Sequence, residues 1–373
     1  MINKDQGLGI FLFVLILGMT ALSHAKAVGR PQVTPARIDE VVLTVMQEKH
    51  IPGLSIAISM PGGKVIEKSY GLAEVEHKQP VEKDSIFEIG SISKTFTAIG
   101  ILMLQEEGRL NVGDRITKYF PQYPEWNGIT LKHLLQHTSG IRDVTNVEPF
   151  KSNRWRDWTP HEVVAGMARE PLDFEPGQTA RYSNTGCIIL GLVIEKTTGM
   201  PYADFLAAKI TKPLGMTHTT MGSHRAIVPK RVSGYAYAGN LMNAEYESLA
   251  LPYASGGILS TPSDLIKLAK VFRGEALLSE KAIREMFGPA RLNNGTPYKS
   301  SDPGLKITFG YGLDAIVRKE KIIPAKTGGI SGFNAFFAYF PETQTMVAVT
   351  ANLNDSLQEL LVVVDALFGL SEK

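Results

Sequence analysis

A chain of 373 residues with 44% hydrophobic content can bury a large core, as one big domain or two intimately joined lobes. Its 39 Lys plus Arg against 37 Asp plus Glu leave a formal net charge of +2, and no basic run interrupts that balance. There is then no field to select nucleic acid or an acidic membrane. Cys187 is the only cysteine, which excludes an intrachain disulfide, and inside an apolar helical pattern it reads as packing rather than chemistry.

The N-terminus carries Lys4, an apolar run from Leu8 to Leu22, and then Ala25-Lys26-Ala27, a small-x-small pattern suited to signal peptidase. A leader over residues 1–27 is therefore expected, with a secreted or periplasmic mature protein, residues 28–373. An uncleaved anchor is the alternative. The run is short for a bilayer span, and no later segment approaches the ~20 uninterrupted apolar residues of a membrane helix, so no stable membrane insertion is expected after cleavage. No Cys follows the run, which argues against a lipid-modified leader.

Thr34-Pro35 opens a helix with an apolar stripe of Ile38, Val41, Val42, Val45 and Met46. Extended runs over 54–60 and 64–73, separated by Pro61-Gly62-Gly63, read as a hairpin. The stretch 87–97 then reads as strand end, turn and helix start. Gly90 permits a backbone geometry that other residues resist, Ser91 and Ser93 can supply cap oxygens, and Ile99, Met103 and Leu104 follow at helical spacing. In the first helical turn Lys94 lies beside Ser91. Such a pair can make a nucleophile and its base, but a Ser cap and a solvated Lys explain the spacing equally well, and Ser23 and Lys26 repeat it in the leader. The pair needs partners.

Pro121 and Pro124 break 114–126 into irregular structure, and Thr130 caps a helix expected over 131–137. That helix would set His133 and His137 on one face at zinc-hydrolase spacing. Leu134 stands where such a hydrolase needs Glu, and no third ligand is evident, so no metal is expected. Three helical patterns follow between 159 and 210. The last long one, from Gly186 with Ile188, Ile189, Leu192 and Val193, leaves Tyr182-Ser183-Asn184 on the loop that feeds it. Ser263-Asp264 caps a helix to Phe272, and Ser279 starts another to Phe287. Extended runs over 311–317, 322–327, 333–340 and 346–351 suggest an antiparallel meander, completed by the N-terminal hairpin and followed by a helix over 356–368. The expected fold class is α/β (α+β): an antiparallel sheet flanked by terminal helices, from about 34–90 and 300–373, with an inserted all-helical lobe over about 91–299.

Three pieces line up: Ser91 with Lys94 at a helix start, Tyr182-Ser183-Asn184 on a loop, and Lys326-Thr327-Gly328 at a strand end. With these, and with 87–97, 126–131, 176–184 and 326–342, the chain resembles the penicillin-recognising serine enzymes, closest to class C β-lactamases and the related DD-peptidases. The resemblance implies a β-lactamase/transpeptidase-like fold with Ser91 as the acylated nucleophile, Lys94 and Tyr182 moving its proton, Asn184 touching the substrate amide, and Lys326 and Thr327 holding a carboxylate. The amides of Ser91 and Gly329 would form the oxyanion hole. Lys94 is useful only when partly neutral near pH 7, which burial and a second ammonium, Lys326, would favour. Whether Lys94 or Tyr182 is the base stays open.

Departures from the pattern concern the substrate. Thr145 falls near the position where class C β-lactamases carry a Gln for the drug's side-chain amide, and Ser183 in place of Ala is shared with DD-peptidases. Retention of Lys-Thr-Gly favours a substrate with a carboxylate over the esterase relatives. The expected function is a serine hydrolase acting on a small molecule, a β-lactam or a D-amino-acid peptide or amide, with no cofactor. The alternatives are a carboxylesterase or other amide hydrolase and, less so, a non-catalytic penicillin-binding sensor. No Gly-x-Ser-x-Gly elbow supports an α/β-hydrolase.

Overall fold

The computed structural model describes residues 33–299, 307–318 and 321–370. The leader expected over 1–27 lies outside them. Helix α1 (Pro35–Lys49) starts as its sequence dictates: the Thr34 side chain accepts from the Arg37 amide, with Pro at the first position. Strands β1 (Gly53–Ser59) and β2 (Val65–Glu74) form the expected hairpin, and β3 (Gln79–Pro80) adds an edge. The C-terminal part supplies β4 (Ile307–Phe309), β5 (Asp314–Arg318), β6 (Lys321–Ile330), β7 (Phe333–Phe340) and β8 (Thr345–Ala351). One antiparallel sheet results, in the order β3-β2-β1-β8-β7-β6-β5-β4, so the chain's two ends meet at the β1–β8 pair, Leu54 opposite Ala351.

Period-two alternation decides what each face touches. Ile56, Ile58, Phe336, Ala338, Val347 and Val349 pack with Val42 of α1 and with Leu360 and Val363 of the terminal helix (Leu357–Phe368). The intervening Ala57, Ala335, Phe337, Met346 and Ala348 join the second core, built mainly from helices. Truncating Phe336 or Phe337 to Ala, both buried, would cost about 3–5 kcal/mol. The second core surrounds α2 (Ser93–Glu106), α3 (Leu131–Leu135) and α4 (Asn184–Thr198). The span expected to be helical also holds short strands: Thr220–Met221 and Ile258–Ser260 pair into a small sheet with Phe87–Glu88, and Tyr235–Tyr237 pairs with Leu241–Asn243.

Several boundaries differ from the sequence reading. The run expected over 311–317 starts late: Gly312, at φ +62°, turns the chain into β5 only at Asp314, and β4 precedes the run altogether. The segment 263–272 is two short helices, Pro262–Leu265 and Leu268–Phe272, and Thr261 rather than Ser263 caps the first. Neither Ser91 nor Ser93 caps α2. Ser93 Oγ donates to the Gly90 carbonyl and accepts from the Ile258 amide, which ties the turn to the small sheet.

Candidate active site

Two backbones touch where the site forms. Gly90 takes φ +49°, and a Cβ there would lie 2.7–2.9 Å from the backbone of Gly329; a Cβ on Gly328 would lie 2.0 Å from the Ile89 carbonyl oxygen. Only glycines permit this approach. It seats the single 3-10 turn Gly90–Ile92 against β6, on the edge that β5 leaves open, since the β5–β6 ladder ends at Asp314 opposite Ala325. Ser91 is thereby presented at the start of α2.

Its hydroxyl meets both expected partners. Lys94 Nζ donates to Ser91 Oγ over 3.0 Å, and the Tyr182 hydroxyl donates to the same oxygen over 2.5 Å. Lys94 also donates to Asn184 Oδ1 and to the Ser255 carbonyl, each at 2.7 Å, so all three ammonium hydrogens have acceptors. The Tyr182 ring lies between two cations, with Lys94 Nζ 4.8 Å and Lys326 Nζ 5.1 Å from its centroid. Ser91, Lys94, Tyr182, Asn184, Lys326 and Thr327 therefore converge, and Gly329 adjoins the Ser91 turn.

The two lysines are held differently. Lys326 forms a 2.7 Å ion pair with Asp314 Oδ1, while Asp314 Oδ2 accepts from the Thr327 amide (3.3 Å) and Thr327 Oγ1 (3.2 Å). Lys94 has no such direct carboxylate partner among the described residues. Its Asn184 turns the other end of its amide to Asp143, Nδ2 lying 3.2 and 3.0 Å from the two carboxylate oxygens. Asp143 Oδ1 is further held by the Thr145 amide and hydroxyl, each at 3.0 Å.

Burial is the main force on the protons. It drives Lys94 from 10.5 to about 7, with the Lys326 ammonium pushing the same way and Asp143 and Asp314 opposing. Burial also raises the Tyr182 phenol well above its ordinary value, against the pull of its bond to Ser91. Near neutral pH the site thus pairs a protonated phenol with an amine that is partly neutral. His137 is kept neutral by burial and by both ammonium groups.

The two histidines do not share a helix face. Helix α3 stops at Leu135, His133 closes a capping box with Thr130, and His137 turns into a left-handed backbone at φ +58°. Its ring packs 4.6 Å from that of Tyr182, and its Nδ1 accepts from the Ser183 amide. His137 is thus a backstop for the phenol. Sequence reasoning missed this contact and also missed Asp143 and Asp314. A signal for Asp314 existed, because it falls on an extended run adjoining the strand of Lys326, but its register was not readable. Asp143 follows its neighbouring turn with no spacing to mark it.

Residues 38–366 match the family described as Beta-lactamase. The chain belongs to that family. It is 30% identical over 357 residues to penicillin-binding protein 4* of Bacillus subtilis, covering 88% of this chain and 75% of that one. Among solved structures, the D-amino acid amidase of Ochrobactrum anthropi SV3, complexed with L-phenylalanine amide, aligns at TM-score 0.77 and 27% identity over 89% of this chain and 97% of the amidase. A class C β-lactamase shares the fold at TM-score 0.74 and 23% identity, over 89% and 94%. This family member is a serine hydrolase with the β-lactamase/transpeptidase-like fold, as the sequence motifs imply.

Proposed function

We propose that the protein hydrolyses small amides through an acyl-enzyme on Ser91, D-amino-acid amides being the substrate class its similarity to the amidase suggests. One observation carries this reading: a serine hydroxyl bonded both to an amine brought to about 7 and to a phenol that keeps its proton. In this mechanism the neutral fraction of Lys94 takes the Ser91 proton as Oγ attacks the carbonyl. The backbone amides of Ser91 and Gly329 receive the oxyanion, each such donor being worth about 2.7–4 kcal/mol of barrier. Tyr182 protonates the leaving nitrogen, and the Lys94 ammonium restores the phenol. Water then attacks the ester by the reverse path. Lys94 is the base and Tyr182 the acid in this scheme.

Asn184 acts in this scheme by holding Lys94 through its amide oxygen. The protein works as one catalytic domain after removal of the leader, outside the cytoplasm; among the described residues no helix is long and apolar enough to cross a membrane. Intact-mass measurement after exposure to an activated neutral ester, alongside turnover of D-phenylalaninamide, tests the catalytic reading on wild type and Ser91→Ala. Adduct and turnover should vanish in the variant. Persistence of either sinks the proposal.

A further inference from the structure

A carboxylate already sits where a substrate's carboxylate would be received. Asp314 spends one oxygen on the Lys326 ammonium and the other on the amide and hydroxyl of Thr327, so it covers the very groups that the sequence assigns to a substrate anion. It is no loose surface charge. Its backbone is fixed opposite Ala325 at the last register of the β5–β6 ladder, and Lys326 is only 1% exposed. An incoming carboxylate must either displace Asp314, stranding a charge beside a buried ammonium, or lie next to it as a like charge. Asp143 adds a second negative group across the site, reached through Asn184, while Lys94 contributes only a partial positive charge near neutral pH.

We infer that Asp314 is a specificity-determining residue that fills the anion position internally and restricts the enzyme to acyl donors whose leaving side carries no carboxylate. Primary amides, amide-capped peptides and neutral esters satisfy this condition. Penicillins and peptides with a free C-terminus do not. The inference deepens the proposed function and rests on it, since it concerns the leaving side of a substrate attacked by Ser91.

D-alanyl-D-alaninamide and D-alanyl-D-alanine share one peptide bond and differ beyond it in that charge, and their kcat/KM values for release of D-alaninamide and of D-alanine, on wild type and Asp314→Asn, provide the test. Wild type should favour the capped dipeptide by about tenfold or more, a difference of one such factor being 1.4 kcal/mol. The near-isosteric variant should narrow the ratio about tenfold, mainly through a lower KM for the free acid. A wild type that prefers the free acid overturns the inference, and so does a ratio unchanged in a folded variant. The wild-type ratio stands by itself should the variant misfold. Failure of the functional reading looks different, because Ser91→Ala would then retain whatever turnover wild type shows.

Discussion

Lys94 and Lys326 approach the same phenol ring from two sides, at 4.8 and 5.1 Å, and both are buried, yet their settings are opposite. Lys326 has a carboxylate on its ammonium at 2.7 Å. Lys94 has a hydroxyl, an amide oxygen and a peptide carbonyl, and Asp143 reaches it only through Asn184. Neutral acceptors orient an ammonium without repaying its desolvation as an anion does, so burial dominates at Lys94 and brings it to about 7. The contrast separates two settings of one residue type: an amine denied a direct anion, which suits the base proposed here, and an amine paired directly with one.

Removing Lys94 should break that contrast most severely. Lys94→Met should lower kcat/KM by about 10²–10⁴, the usual worth of a positioned base, while leaving the fold intact. Stability should move the other way. The folded value of about 7 lies below the unfolded 10.5, so between these pH values the unfolded chain holds more of the proton and wild-type stability rises with pH. Below about pH 7 the penalty is fully present. The Met variant should therefore be more stable than wild type at pH 7 by at least about 1 kcal/mol, a gain that fades toward pH 10.5. Denaturant melts across that range check the sign, and a variant less stable at pH 7 than at pH 10, relative to wild type, contradicts it.

The spacing between the two lysines depends on a backbone contact. Gly328→Ala would drive a Cβ to 2.0 Å from the Ile89 carbonyl and force β6 away from the Ser91 turn, carrying Lys326 and the Gly329 amide with it. A loss of about 10²–10³ in kcat is expected, as for an oxyanion donor withdrawn. Retention of full activity would show that the Gly329 amide takes no part.

Lys326→Met sharpens the comparison by removing the direct ion pair. Asp314 would be left without its cation, which should destabilise the fold by about 3–5 kcal/mol in thermal or denaturant melts. Lys94 would lose a repelling ammonium and face an unneutralised Asp314, and both changes raise its pKa. The acid limb of kcat/KM should move to higher pH. A limb that stays in place would mean that Lys326 exerts no field on the base.

Much of the frame was legible in the chain because one residue's neighbours suffice to mark it. The Thr34-Pro35 start, the Pro61-Gly62-Gly63 break and the alternation through 333–340 each encode their element locally. Ser91 with Lys94 needed only one helical turn, and Tyr182, Asn184, Lys326 and Thr327 came from motifs. What escaped depends on pairing between distant segments. Asp314 counts because β5 begins where it does beside β6, Asp143 because its turn packs on the start of α4, and His137 because the chain turns left-handed just past the early end of α3. No spacing along the chain announces such contacts.

The mildest perturbation concerns the carboxylate that Lys94 does not touch. Asp143→Asn keeps an oxygen to accept from Asn184 Nδ2 and from Thr145, so the amide of Asn184 should stay oriented and Lys94 should keep its bonds. Only the charge disappears. Asp143 holds the Lys94 pKa up against burial, so its removal should let that value fall further and carry the acid limb of kcat/KM to lower pH, by less than the opposite shift from Lys326→Met. Activity at pH 7 should change by no more than about twofold, because a base near 7 is already about half neutral there. A pH profile of both variants on one neutral ester reads the two signs together. Limbs moving in the same direction would show that the field at Lys94 is not set by these two charges, and the contrast between the lysines would then have to rest on burial alone.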